Sequence, residues 1–463
     1  MQCVRWWGKE SFVLGVCFAL VLGGCASRET PRVAPPRAPA AVSSAGMVED
    51  LHRLPQDLNV YAERNKPDRR LLPPEEQARQ SRRFDSLFFG PWEATRVSVP
   101  AQEAFAIFGG KNKASRPRGW AENLLPWTAQ HWAQLVNNAN RDSYPSRFDK
   151  IITVRPTVLR EAPTYKPRFG NPAEAGEGFP FDMFMYSSLP VGMPLLAVHA
   201  SADGAWLFVE NALTSGWVPS NDVAQTDEAF RKRYQNGRYA AVLHDNVPLR
   251  DGFGRFVAMG NLGVLLPVEE ASAATLDVLV PVRDVNGRAQ TVSVRVSTAD
   301  AALRPLPLTS AAVARLGNGM MGQLYGWGGG FGDRDCSLML RDLFIPFGLW
   351  LPRNSASQAK AWDFVDFRQQ DLAEKEKIIL REGVPFATLL WLRGHITLYL
   401  GEYQGRAVMF HDMWGIRTQH RGEDGRYIIG RAVVTTTQPG TELPTIKEKG
   451  GLLTRMRGMS VLR

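Results

Sequence analysis

The sequence predicts a multidomain α+β protein: a helical or irregular N-terminal unit, two small β-barrels in tandem, and a C-terminal α+β domain. Three observations carry this. The chain has 463 residues, too many for one core of about 100–150 residues. Short β-type runs separated by turn residues form two successive series between positions 147 and 308, the spacing of small barrels. Beyond position 309 an Ala-rich helix, a Gly-rich loop, a cysteine and alternating strand patterns follow one another. Hydrophobic residues at 44% and charged residues at 22% exclude a disordered chain and a bundle of membrane helices.

At the start, Arg5 and Lys9 precede an apolar run from Phe12 to Leu22 that ends in Leu22-Gly23-Gly24-Cys25. The run is shorter than the ~20 residues that span a bilayer, and small residues sit before a cysteine. This reads as a signal peptide, residues 1–24, with a lipobox, rather than as an anchor helix. Cys25 is then the acylated first residue, and Ala26 beside it points to the outer membrane of a Gram-negative cell. The expected location is periplasmic, on a lipid anchor. Cys3 and Cys17 would leave with the signal, so Cys336 is left as one free thiol without a disulfide partner. In an oxidising compartment such a thiol is either buried or used.

The net charge is +9, of which Arg5, Lys9 and Glu10 carry +1, leaving a basic mature chain of +8. It suits polyanionic surroundings such as wall polymers or lipid headgroups. The export signal argues against nucleic acid, and no nucleic-acid motif occurs. Residues 25–50, with Pro31, Pro35, Pro36 and Pro39, read as an extended tether reaching ~3 Å per residue.

Residues 51–146 form the helical unit, with a helix expected over Glu75–Phe89 and closed by Gly90-Pro91-Trp92, then a Trp-rich stretch from Trp120 to Leu135. Trp92, Trp120, Trp127 and Trp132 could make a sugar platform, but helical spacing favours core. The first barrel, 147–228, has strand patterns at Ile151–Val154, Pro194–Val198, Trp206–Val209 and Gly216–Val218. The second, 235–308, has Ala240–Leu243, Gly263–Leu266, Leu276–Val282 and Thr291–Val296, with a turn at Asn286-Gly287.

In the last domain, 309–463, Tyr325-Gly-Trp-Gly-Gly-Gly-Phe-Gly-Asp-Arg-Asp-Cys336 leads into an apolar helical run stopped by Pro346 and Gly348. With Asp335 as N-cap, Cys336 falls in the first turn, where free N–H groups and the helix dipole favour a thiolate. Cys336, Leu340 and Leu343 also share one stripe, so burial as a small hydrophobe is the competing reading.

Against that stand His395, in Trp391-Leu-Arg-Gly-His395-Ile-Thr-Leu-Tyr-Leu400, and His411, in Arg406-Ala-Val-Met-Phe-His411. A turn centred on Tyr403, with Leu400 facing Arg406, sets His395 directly opposite His411, with Cβ atoms ~5 Å apart. One imidazole is then the base and the other its orienter. A bulge would turn His411 away and leave His420, Asp412 or a carbonyl as orienter. A zinc site would need more ligands than one cysteine and two histidines, and no CxxC or HxxxH spacing occurs.

Tyr325-Gly-Trp-Gly-Gly, Asp335-Cys336-Ser337 and Leu392-Arg-Gly-His395 together resemble the NlpC/p60 cell-wall peptidases. Gly176-Glu-Gly-Phe-Pro-Phe-Asp182, with Trp206 and Trp217, resembles the bacterial SH3 modules that precede such domains. The resemblance implies two SH3-like barrels and a papain-like catalytic domain with Cys336, His395 and His411 as triad and Tyr325 supporting the oxyanion. It implies a γ-D-glutamyl-L-diamino acid endopeptidase acting on peptidoglycan stem peptides. It further places Asp335, Ser337 and, from the first SH3 module, Glu177 at the free amino group of the L-alanine. No metal or organic cofactor is implied, and no protein partner is assigned. The readings in competition are thioester acyl transfer and a wall-binding lipoprotein with a spent peptidase domain.

Overall fold

The computed structural model describes residues 48–109 and 119–463; the expected signal and lipobox, with Cys25, and the tether as far as residue 47 lie outside them, whereas its last expected residues are structured, with Val48 buried and Glu49–Arg53 a helix. Seven strands between Asp149 and Gln225 form the first barrel sheet, in the spatial order third, second, sixth, fifth, fourth, first, seventh. Alternation buries Leu195, Ala197 and Val209 on one side and Leu196, Val198 and Phe208 on the other, so two cores meet one sheet. The sequence pattern found Asp149–Thr153, Pro194–Ala200, Trp206–Glu210 and Ser215–Pro219. It missed Thr157–Arg160, Met185–Leu189 and Val223–Gln225, whose few apolar residues give no readable period.

The second barrel pairs Tyr239–Val242, Leu265–Ala271, Thr275–Arg283, Ala289–Ser297 and Ala301–Leu303 in one sheet, with a separate hairpin of Val247–Arg250 and Phe256–Gly260. The Asn286-Gly287 turn is present, with Gly287 at φ +82 and Arg283 paired to Ala289. Arg334 ties this barrel to the last domain: its guanidinium donates to both Asp245 oxygens at 2.7 Å and to Asp342 at 2.9 Å.

The C-terminal domain is a six-stranded antiparallel sheet between two helical layers. Its spatial order is Asp363–Asp366, Met456–Val461, Thr388–Leu392, His395–Tyr403, Arg406–His420, Glu423–Thr436. Helices Ser310–Asn318 and Cys336–Phe344 cover one face through Val313, Leu340, Leu343, Ile396, Leu398 and Phe410. Helix Leu372–Glu382 covers the other through Ile378, Ile379, Tyr399 and Met409.

The expected N-terminal helical unit has no core of its own. Leu58, Tyr61 and Leu72 complete the core of the last domain, Phe84, Phe88 and Trp92 that of the first barrel, and Phe105, Trp132 and Leu135 the barrel's other side. Its main helix runs from Pro74 to Glu93, through the Gly90-Pro91 at which the sequence reading closed it. Pro91 removes one helical N–H near the end of the helix, and the continued turn carries Trp92 inward. Trp92 is 1% exposed, and its indole donates to Ile151 O at 2.8 Å.

Candidate active site

Asp335 caps helix Cys336–Phe344, its carboxylate accepting from the Ser337 and Leu338 amides at 3.0 and 2.9 Å. The cap sets Cys336 at the first helical position, 6% exposed. The sulfur also meets the backbone N–H of Ile396, the residue after His395. Burial, and then the charge of Asp335, push the thiol well up. Burial and Asp335 thus oppose the thiolate that the helix N-terminus favours.

Asp335 also takes part in a network the sequence reading missed. Arg353 donates to its two oxygens at 3.1 and 2.7 Å, to Ser337 Oγ at 2.9 Å, and through Nε to Ser187 Oγ of the first barrel at 2.8 Å. Ser337 Oγ donates to Asp335 at 2.9 Å, and the Gly328 amide at 3.1 Å. Although burial opposes it, Arg353 and these donors hold the Asp335 carboxyl below the usual range. An isolated arginine far from any motif carries no sequence signal for this role.

His395 opens its strand and His411 lies in the next, fully buried. Their rings meet, His395 Nε2 to His411 Nδ1 at 2.8 Å. The expected register does not hold, although the pairing of the rings does. Tyr403 pairs with Arg406 around a two-residue turn, Gln404-Gly405, both at positive φ. A bulge at Leu400-Gly401 then shifts the ladder, so that Tyr399 pairs with Met409 and Leu398 with Phe410. Continuing that register places Thr397 opposite His411, with His395 on the diagonal. The tight turn alone would set the two histidines on opposite faces, and the bulge returns them to one. It therefore acts in the sense opposite to the one the sequence reading assigned to a bulge.

The hydrogen bonds fix the tautomers. Thr435 Oγ1 donates to Thr436 O at 2.8 Å, so it accepts from His411 Nε2 at 3.0 Å. His411 Nδ1 is then an acceptor, His395 Nε2 carries the proton it receives, and His395 Nδ1 keeps a free lone pair. Burial first, and the charge of Arg455 second, push His395 down to about 4, with Asp335 opposing. Burial and the neighbouring imidazole push His411 lower still. At neutral pH the pair is an uncharged base with a fixed orientation.

Tyr325 reaches the site on a short extra ladder: the Gly322 and Tyr325 amides donate to Ala432 O and Gly430 O, each at 2.9 Å. Burial, and then Cys336, Asp335 and Asp412, push its phenol up, so it is a proton donor. Asp412, 1% exposed, faces these groups rather than the histidines; burial, then Asp335 and Asp333, push its carboxyl up to about 9. His420 is exposed at the far end of its strand. Among the described residues no group of three or more His, Cys, Asp or Glu side chains is placed to hold a metal ion.

The first barrel forms a wall of the cleft. Phe181 packs edge-on to Trp327 and Trp414 with centroids at 5.3 and 5.4 Å, and lies 6.3 Å from Tyr325. Gly328 and Gly329, at φ +66 and +87, let the loop before Cys336 press on Met185 and Ser188 where a Cβ would collide. Glu177 is exposed and lies near Arg426, outside the Asp335 network.

Family models match along the chain: the NLPC_P60 stabilising domain, N term, over residues 14–144; the SH3 domain of SH3b1 type over 167–219; the SH3 domain of SH3b2 type over 227–273; and the NlpC/P60 family over 322–428. An NlpC/P60 endopeptidase from Photobacterium damselae subsp. piscicida shares the fold, with TM-score 0.78 and 24% identity over 88% of this chain and 97% of that one. An NlpC/P60 family protein from Bacillus cereus aligns with TM-score 0.46 and 15% identity, over 67% of this chain and 99% of that one. No curated protein matches the chain. The chain thus carries a C-terminal α+β domain of the NlpC/P60 family, a family of cysteine peptidases and peptidoglycan hydrolases, behind a stabilising N-terminal domain and two bacterial SH3 domains.

Proposed function

We propose that the protein is an envelope endopeptidase that cuts the γ-D-glutamyl–diamino acid bond of peptidoglycan stem peptides bearing a free N-terminal L-alanine. In this reading Cys336 attacks the γ-glutamyl carbonyl and its proton passes to His395 Nδ1. The oxyanion is met by the Cys336 amide and the Tyr325 hydroxyl. His395 then returns the proton to the leaving amine, and water hydrolyses the γ-glutamyl thioester. His411 holds His395 in the working tautomer. Asp335 and Ser337, with the first barrel beside them, would meet the acyl half and its amino end. Glu177 enters only as a more distant acid of that barrel. A lipid anchor on Cys25 at the periplasmic face of the outer membrane belongs to the same proposal.

The observation that carries the reading is the bond from His395 Nε2 to His411 Nδ1, at 2.8 Å, which leaves His395 Nδ1 a free base lone pair, while the capped Cys336 meets the backbone N–H of the next residue, Ile396. The test is cleavage of L-Ala-γ-D-Glu-meso-diaminopimelate and of its N-acetyl form, followed by mass spectrometry with Cys336→Ala in parallel. Release of L-Ala-D-Glu from the free peptide alone, lost in the variant, is expected. Equal cleavage of both forms would remove Asp335 and Ser337 from amino-end recognition. Cleavage of neither would favour a wall-binding lipoprotein.

A further inference from the structure

At one end of the six-stranded sheet, the turn between Leu392 and His395 lies beside the start of strand Met456–Val461, where Leu392 pairs with Met456. A cavity of about 800 Å³ there is lined by six cationic side chains, Arg368, Lys375, Arg393, Arg417, Arg455 and Arg457, and by no carboxylate. Neither the catalytic trio nor Tyr325 or Asp335 lines it. Two of the six cations are engaged: Arg368 pairs with Asp366 at 2.5 Å, and the Lys375 ammonium donates to the carbonyls of Leu453, Thr454 and Met456. The other four form no ion pair with any described side chain. Arg457 lies 5.9 Å from the centre of the Trp391 ring, a partner without net charge.

The fold holds these charges together against their repulsion. Lys375 anchors the backbone that carries Arg455, and Arg455 Nη2 donates to the Arg393 carbonyl at 3.3 Å, tying two walls of the cavity. Arg417 stands directly opposite Arg426 in the ladder, an unfavourable placement for like charges. Asp424, on the same hairpin, is held by Lys447 at 2.6 and 2.7 Å. Burial, then Arg417 and Arg426, press Arg455 down to about 10, a crowding that an anion would relieve. We propose that the cavity binds a phosphate monoester or diphosphate group through Arg393, Arg417, Arg455 and Arg457. A carboxylate brings one charge on two oxygens, whereas a phosphate monoester brings about two charges on three oxygens around one atom. Guanidinium forks grip such oxygens in pairs, so four uncompensated arginines around one cavity fit the phosphate. A soluble phosphate and a lipid headgroup offer the same chemistry. The site does not depend on the endopeptidase reading above.

Calorimetric titration of the protein with pyrophosphate tests the site, with Arg393→Gln/Arg417→Gln as the variant. Both positions are exposed, so the fold should survive. Arg82→Gln/Arg83→Gln removes the same charge from exposed positions outside the cavity. The first pair should weaken binding about 10- to 100-fold, the range expected for lost hydrogen bonds to a charged group, and the second should leave it nearly unchanged. Arg393→Lys/Arg417→Lys, which keeps the charge but not the fork, should fall between them. Phosphatidylcholine vesicles with and without phosphatidic acid identify the source of the phosphate. Cosedimentation that needs both phosphatidic acid and the cavity arginines, and that pyrophosphate reverses, assigns a headgroup; pyrophosphate binding without cosedimentation assigns a soluble phosphate. Binding of neither probe would overturn the proposal, as would losses of equal size in the two Gln pairs. Citrate that displaces pyrophosphate at equal concentration would overturn the assignment to phosphate.

Discussion

His395 is a base whose usefulness depends on being uncharged, and its surroundings make that state cheap to hold. The imidazole is pushed down to about 4 by burial and by Arg455, whereas an unperturbed histidine titrates near 6.5. Because the depressed group is active when neutral, activity should be full above that value and lost only as pH falls through about 4. A kcat/KM profile between pH 3.5 and 8 checks this, and an acid limb near 6.5 would contradict it. Arg455→Gln should move the limb upward, since a cation that opposes the imidazolium is gone. Cys336 adds a second consequence at the same scale. A thiol whose ionisation is opposed by burial and Asp335 should react slowly with iodoacetamide at neutral pH, in contrast to cysteines held as thiolates.

Among the elements, the hairpin carrying both histidines depends on one irregularity. Gly401 sits in the bulge at φ +111, with Asn65 and Pro385 around the position a Cβ would take. Gly401→Val should cost about 1–3 kcal/mol through the unfavourable dihedral alone. It should also lower kcat, because the imidazole pair shifts. Urea denaturation and steady-state kinetics read the two effects. This hairpin also marks where sequence reading reached its limit. Two histidines on neighbouring alternating strands, a cysteine after an N-cap and a glycine-rich loop were all legible, because each follows a local period or cap rule. The register was not. A five-residue loop brings His395 and His411 together, and so does a two-residue turn with a bulge, and the sequence between Leu400 and Arg406 suits both. Arg353 was illegible for another reason: its partners Asp335, Ser337 and Ser187 are set by tertiary approach, with no spacing to betray them.

At the level of the whole molecule, the N-terminal segment is a structural part of the peptidase domain. Leu58 is fully buried in the core that holds Leu316, Phe410 and Val434, and its amide donates to Asn318 at 2.8 Å. Leu58→Ala should therefore destabilise the protein by about 2–5 kcal/mol, the usual range for a leucine truncated in a packed core. A thermal melt that leaves the peptidase domain unchanged would refute this.

The same segment is bonded to the far end of the chain. Asp50 accepts from the Thr436 amide and hydroxyl, 386 residues away, and Gln56 brackets Val434 with a donor and an acceptor. Contacts of this separation close late, and their loop entropy is spent before they return any stabilisation. During synthesis, residues 48–72 emerge long before the strands that bury them. The barrels can form as they are made, but the peptidase core must wait for nearly the whole polypeptide. The catalytic cleft is thus the last part of the molecule to be assembled.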